Sequence, residues 1–166
     1  MKMLNDMRTI KRLLTDAEQI ARAMGEEEPG AEHLLLSAIG LPEGSAGRAL
    51  GGLGVDADDI RTGLRAEQAD ALVLAGVPRE RAEAMADPTP LGPAGAPILY
   101  GAGPSAREVF QEAGRLARAS KQRLAGAHVV VAVAALERGT VARVLDRLGV
   151  DRQRLADAAR AELTAR

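Results

Sequence analysis

Gly30-Ala31-Glu32-His33-Leu34-Leu35-Leu36-Ser37-Ala38-Ile39 opens a stretch that continues through Gly44, Arg48 and Leu50 to Leu53-Gly54-Val55-Asp56. The chain then says nearly the same thing again. Gly126-Ala127-His128-Val129-Val130-Val131 opens a second stretch, which passes through Gly139, Arg143 and Leu145 to Leu148-Gly149-Val150-Asp151. His33 and His128, Gly44 and Gly139, Arg48 and Arg143, and the two Leu-Gly-Val-Asp segments all stand 95 positions apart (128 − 33, 151 − 56). A unit repeated at this length marks a duplicated helical module whose halves pack on each other.

The composition narrows the class. Hydrophobic residues make up 46% of 166, yet there is one Tyr, one Phe and no Trp, so Ala, Leu, Val and Ile must build the core. That favours closely packed helices and removes the aromatic platforms on which single-stranded nucleic acid stacks. Net charge is −1 with acids and bases interspersed, and no basic block suggests a nucleic-acid partner. Without cysteine there is neither disulfide nor thiolate metal site. The longest apolar run, Val129 to Leu136, falls short of the roughly 20 residues of a membrane span, and the charged first 24 residues lack a signal core. The expectation is a cytoplasmic protein without cofactor, nucleic-acid partner or membrane segment.

Helical spacing of Ile10, Leu13, Leu14, Ala17, Ile20, Ala21 and Met24 predicts a helix over 5–24, ended by Gly25 and the solvated Glu26-Glu27-Glu28 run. A second, nearly all-apolar helix starts near Ala31. Ser45 is expected to cap a short helix to about Leu53, Gly54 to stop it, and Asp56 to cap a fourth helix. Leu72 to Leu74 finish a helix before Gly76, and Pro78 opens another through Met85. The second half restarts at Pro104, buries Ala127 to Leu136, turns at Gly139 into a helix through Leu148, and ends in a helix capped by Asp151. The predicted fold is all-α: a first four-helix repeat over 1–66, an extended connector over 67–103 that is rich in Pro and Gly over 87–103, and a second repeat over 104–166.

At these residues the chain resembles the Clp N-terminal domain, the double-repeat helical module in front of the ATPase rings of Clp unfoldases, and the class C members above all. Gly30-Ala31-Glu32-His33-Leu34-Leu35-Leu36 stands where that family reads Gly-Thr-Glu-His-Leu-Leu-Leu; the Leu-Gly-Val-Asp segments close each repeat, and Pro104 matches the Thr-Pro opening the second. The resemblance covers both halves but not 67–103. It implies a domain that recruits substrates and adaptors to the unfoldase and in some members binds phosphorylated arginine. No Gly-x-x-x-x-Gly-Lys-Ser/Thr phosphate loop occurs here, so the expectation is either a stand-alone domain, the favoured reading, or a piece cut from a longer protein.

The family's phosphoarginine pockets each use a Thr near the repeat start and the Glu of Gly-Thr-Glu-His. Here Met7 and Gly103 fall at the Thr positions. With Gly126 and Ala127 aligned to Gly30 and Ala31, the residue missing before His128 is the second glutamate. Only Glu32 survives of the four, leaving one half-site able to pair a guanidinium. The aromatics that open each family repeat are replaced by Asp6 and Ala102, against the cyclic-peptide pocket of actinobacterial relatives. Candidate ligand-binding residues are therefore Glu32, Met7 and Arg48, although Glu32 also suits a helix dipole and Arg48 suits a tie to an acid. His33, His128 and Arg143 are expected to be structural, each histidine bonding a backbone group. Nothing marks a catalytic triad or a metal site. The expected function is non-catalytic binding of a Clp unfoldase, its adaptors or its substrates as adaptor, modulator or decoy. The alternative is sequestration of a peptide antibiotic or a phosphoarginine-like small molecule.

Overall fold

Alternation of apolar stripes with glycine stops and aspartate caps resolves into a bundle of helices. The computed structural model describes residues 2–92 and 102–165, with side chains from residue 6 onward. Within these residues the order is α1 (Lys2–Ala23), α2 (Ala31–Ile39), α3 (Ser45–Gly51), α4 (Ala57–Leu74), α5 (Arg79–Ala86), α6 (Pro104–Ala119), α7 (Gly126–Ala134), α8 (Thr140–Arg147) and α9 (Arg152–Thr164), with no strand among them. The all-α class expected from the sequence is what forms. Residues 93–101 of the Pro/Gly-rich stretch lie outside the described residues.

The Leu-rich α2 and Val-rich α7 form the centre, as their continuous apolar runs require. Every residue of α7 is buried, and so is every residue of α2 but Ile39. They pack on each other, with α1 and α6 against α2, and α6 and α9 against α7. A Cβ at Gly126 would stand 2.8 Å from Ala46 Cβ and 2.9 Å from the Ala38 carbonyl oxygen, so only glycine lets α7 start this close to the first repeat. Gly63 does the same for α4 against α8, where a Cβ would meet Val144 Cγ1 at 2.8 Å.

The two halves exchange contacts crosswise: α3 lies on α9, and α4 on α8. Arg48 of α3 donates to Glu162 of α9 at 2.8 Å, and Arg143 of α8 donates to Glu67 of α4 at 2.8 Å. The two arginines are 95 positions apart, and so are the two glutamates (162 − 67). Glu67 thus obeys the duplication, and α4 runs unbroken past residue 66 to Leu74. The short α5 then packs back on α4. Residues 87–92 lie against the end of α1: Leu91 N–H donates to the Arg22 carbonyl at 2.8 Å, and the Arg22 guanidinium donates to the Gly92 carbonyl.

Most caps fall where the sequence puts them. Asp56 accepts from Asp59 N–H, Asp151 accepts from Gln153 and Arg154 N–H, and Gly54 and Gly149 both take positive φ after their helices. Ser45 departs from expectation. Gly44, at φ 70°, precedes α3, and Ser45 is the first helical residue, with its hydroxyl turned to a different helix. Pro78 likewise precedes α5 rather than opening it.

Candidate functional site

The two helix starts that the sequence singled out, at α2 and α7, are built alike and then finished differently. In each, the backbone N–H before the helix donates to a histidine Nδ1: Gly30 to His33 at 2.9 Å, and Ala125 to His128 at 3.1 Å. Both rings are buried. The bond fixes the tautomer, since an Nδ1 that accepts has its lone pair engaged and the neutral ring carries its proton on Nε2.

At α7 the remaining N–H groups are met by the first repeat. Glu43, in the turn between α2 and α3, accepts from Gly126 N–H at 2.6 Å and from Ser45 N–H at 3.0 Å. The Ser45 hydroxyl accepts from Ala127 N–H at 2.9 Å. A carboxylate on these amides is the anion that a helix N-terminus favours, and here the chain supplies it. Counting from the shared histidine cap, Ala127 stands in the place of Glu32, Gly126 in that of Ala31, and Ala125 in that of Gly30. The second glutamate is thus replaced by alanine within an intact helix start, not deleted from it. The missing residue belongs to the loop between α6 and α7.

At α2 the corresponding place keeps an acidic recess. Ala31 N–H donates to Ser105 Oγ of α6 at 3.1 Å. The Glu32 side chain, 12% exposed, folds back over Gly30, where a Cβ would stand 2.6 Å from Oε1. Glu32 Oε1 lies 3.7 Å from His33 Nδ1, and Glu26 Oε1 lies 3.9 Å from His33 Nε2. His33 Nε2 is buried and has no hydrogen-bond partner. Burial, and then the charge of Glu32, raise Glu26 above the usual carboxylate range. Burial lowers His33 below the usual histidine range, and Glu32 draws it partly back.

Ligand atoms of Glu26, Glu32 and His33 lie within 4.8 Å of one another, a grouping that the sequence reading did not foresee. The tautomer argues against the ring as a metal ligand, because Nε2 carries a proton while Nδ1 holds Gly30. What faces the recess is two carboxylates and an N–H donor, which suits a cationic, hydrogen-bonding group more than a transition metal.

The other candidates sit apart from this recess. Arg48 pairs with Glu162 and donates to the Glu43 carbonyl at 3.1 Å, so it braces the turn that closes α7. Arg143 is its crosswise counterpart. Met7, on α1, is 63% exposed, and no contact places it beside Glu32. A separate open groove of about 390 Å³ lies between α1, α2 and α4, with Ile20, Ala23 and Leu36 along it and Asp16 and Arg61 at its polar margins. Among the described residues, no helix is long and apolar enough to cross a membrane.

A helical double repeat of this kind is the fold of a Clp-type N-terminal domain. Residues 8–86 match the Clp repeat (R) N-terminal domain family. Its fold is also that of the N-terminal domain of the caseinolytic protease-associated chaperone ClpD from Arabidopsis thaliana, with a TM-score of 0.58, 24% identity and 94% of each chain covered. No curated protein sequence matches the chain.

Proposed function

We propose that the protein is a non-catalytic binding domain that acts beside a Clp unfoldase–protease. It engages the unfoldase, its adaptors or its substrates, and modulates or competes for recruitment. The observation that carries this reading is the asymmetry of the two helix starts. One is filled by Glu43 of the same chain; the other presents Glu32 and Glu26 around a buried N–H donor. A partner's guanidinium fits the open one, since two carboxylates accept its N–H groups in a half-buried setting. Pull-down from the native cell with the wild-type protein and with Glu32→Gln tests it. Capture of a Clp unfoldase or its clients by wild type, weakened in the variant, supports the proposal. A wild-type capture lacking both overturns it.

The open groove beside Ile20 and Leu36 favours a second reading, sequestration of a peptide-like small molecule. Its volume lies within the roughly 300–1,000 Å³ typical of ligand pockets. Calorimetry with cyclic-peptide antibiotics that target the unfoldase decides it: heat of binding reduced by Arg61→Glu, at the exposed margin of the groove, supports the reading, and no heat at high concentration removes it.

A further inference from the structure

We infer that the α2 recess is proton-gated: His33 exchanges the Gly30 N–H for the carboxylates of Glu32 and Glu26 when it takes up a proton, and so competes with a cationic ligand for them. The inference rests on the reading of this recess as a guanidinium site, and it adds the regulation of that site.

The geometry sets two arrangements of one ring. In the first, Nδ1 is bare and accepts from Gly30 N–H at 2.9 Å, while Nε2–H points toward Glu26 without a hydrogen bond. Neither carboxylate is then hydrogen-bonded to the ring, and both face an outside cation. In the second, a solvent proton is added at Nδ1. A protonated Nδ1 cannot accept from Gly30, and the nearest acceptor is Glu32 Oε1, 3.7 Å away and already folded over Gly30. Nε2–H then bonds Glu26, from 3.9 Å, with a small shift of a side chain that is 49% exposed. The imidazolium thereby becomes the cation of the recess, and an outside guanidinium loses both partners.

Other groups do not enter the balance at this range. Within 4.0 Å the acidic contacts of the ring are Glu26, from the turn after α1, and Glu32, from α2 itself. Among the described residues, α1, α3, α4, α6, α7 and α8, which pack on α2, bring no acid within that distance. The second repeat differs in sequence at both acid positions. Ala127 replaces Glu32, and Lys121 stands as far before His128 as Glu26 stands before His33.

Binding and protonation that exclude each other are linked reciprocally. Each pH unit below the His33 midpoint then weakens a guanidinium ligand about tenfold, and ligand at ten times its Kd lowers that midpoint by about one unit. The test uses the whole protein with N-acetylarginine amide as probe. NMR follows the His33 and His128 ring carbons and the amides of Ala31 to Leu34 from pH 8 to pH 5. A His33 midpoint that falls with probe, beside an unmoved His128, supports the inference, as does loss of the effect in Glu32→Gln. Probe binding with an unmoved His33 midpoint overturns the gating and leaves the guanidinium reading standing. No probe binding at any pH overturns the guanidinium reading, and the gating with it. Glu26→Gln, at a half-exposed position, repeats the test in a variant that keeps the buried ring and its cap intact.

Discussion

His33 shows how one side chain serves packing and polarity together. Its ring is fully buried, so it contributes to the centre of the molecule, while Nδ1 satisfies an N–H that α2 would leave without a partner. His33→Ala loses both the cap and the ring volume. A cost of about 2–4 kcal/mol is expected from the two together, read as a lower urea midpoint with unchanged slope. A similar loss is expected for His128→Ala, whose ring caps α7 in the same way. The acid side follows from the sign of the shift. His33 titrates lower when folded, so the folded state binds its proton less well than the unfolded chain does. That stability is fully present above the unfolded value of about 6.5 and is lost as pH falls toward the folded one. Glu26, raised by folding, works the other way: its contribution is present below the ordinary carboxylate range and fades as pH rises through its folded value. Between pH 7.5 and pH 5.5 the histidine effect is expected to show as a falling urea midpoint. The fall should shrink in His33→Gln, provided circular dichroism shows that variant to be folded.

Elements were legible wherever a local pattern sufficed. The Leu34–Leu36 and Val129–Val131 runs announce the two central helices, and Leu-Gly-Val-Asp places a stop and a cap in each half, because glycine at positive φ and an aspartate cap act within a turn of their own helix. What the spacing did not carry is which loop lands on which helix end. Ser45 read as the cap of its own helix and Glu43 as carrying no role, but their oxygens cap α7, more than 80 positions away. Glu26 read as a wet surface acid, yet it reaches a buried ring. The first is a consequence of packing between repeats and the second of packing within one, and the residues responsible for the packing between repeats are small. Gly126 is the sharpest case. Alanine there gains helix propensity but puts a methyl 2.9 Å from the Ala38 carbonyl oxygen, a backbone atom with little freedom to retreat. Gly126→Ala is therefore expected to destabilise by about 1–3 kcal/mol, as overpacking does. Gly76→Ala, at a position with nothing near its Cβ, is expected to cost only the strain of its positive φ, about 1–2 kcal/mol. Thermal unfolding of the two variants separates a contact effect from a backbone one.

The molecule as a whole is two modules, neither of which holds a complete core. α2 leans on α6 and α7, α3 on α9, and α4 on α8, so each half covers the apolar face of the other. The crossed pairs Arg48–Glu162 and Arg143–Glu67 lie on the outside of this exchange. The arginines are more than half exposed, so double-mutant cycles are expected to return only about 0.2–1 kcal/mol for each pair. They set the register of the two halves more than their stability. The apolar exchange carries the stability, and it has a direct consequence. A fragment of residues 1–92 keeps every residue of α1 to α5 but exposes the faces of α2, α3 and α4 that the second half covers. The remainder, 102–166, does the same with the faces of α6, α7, α8 and α9 that the first half covers. Chains this short bury too small a fraction of their surface to hold a half-covered core. Each fragment alone is expected to unfold without a cooperative urea transition, and the equimolar mixture to recover one, with a midpoint that rises with concentration because association now limits folding. A sigmoidal transition from either fragment alone would make that repeat an independent unit, and the duplication would then join two finished domains rather than two halves of one.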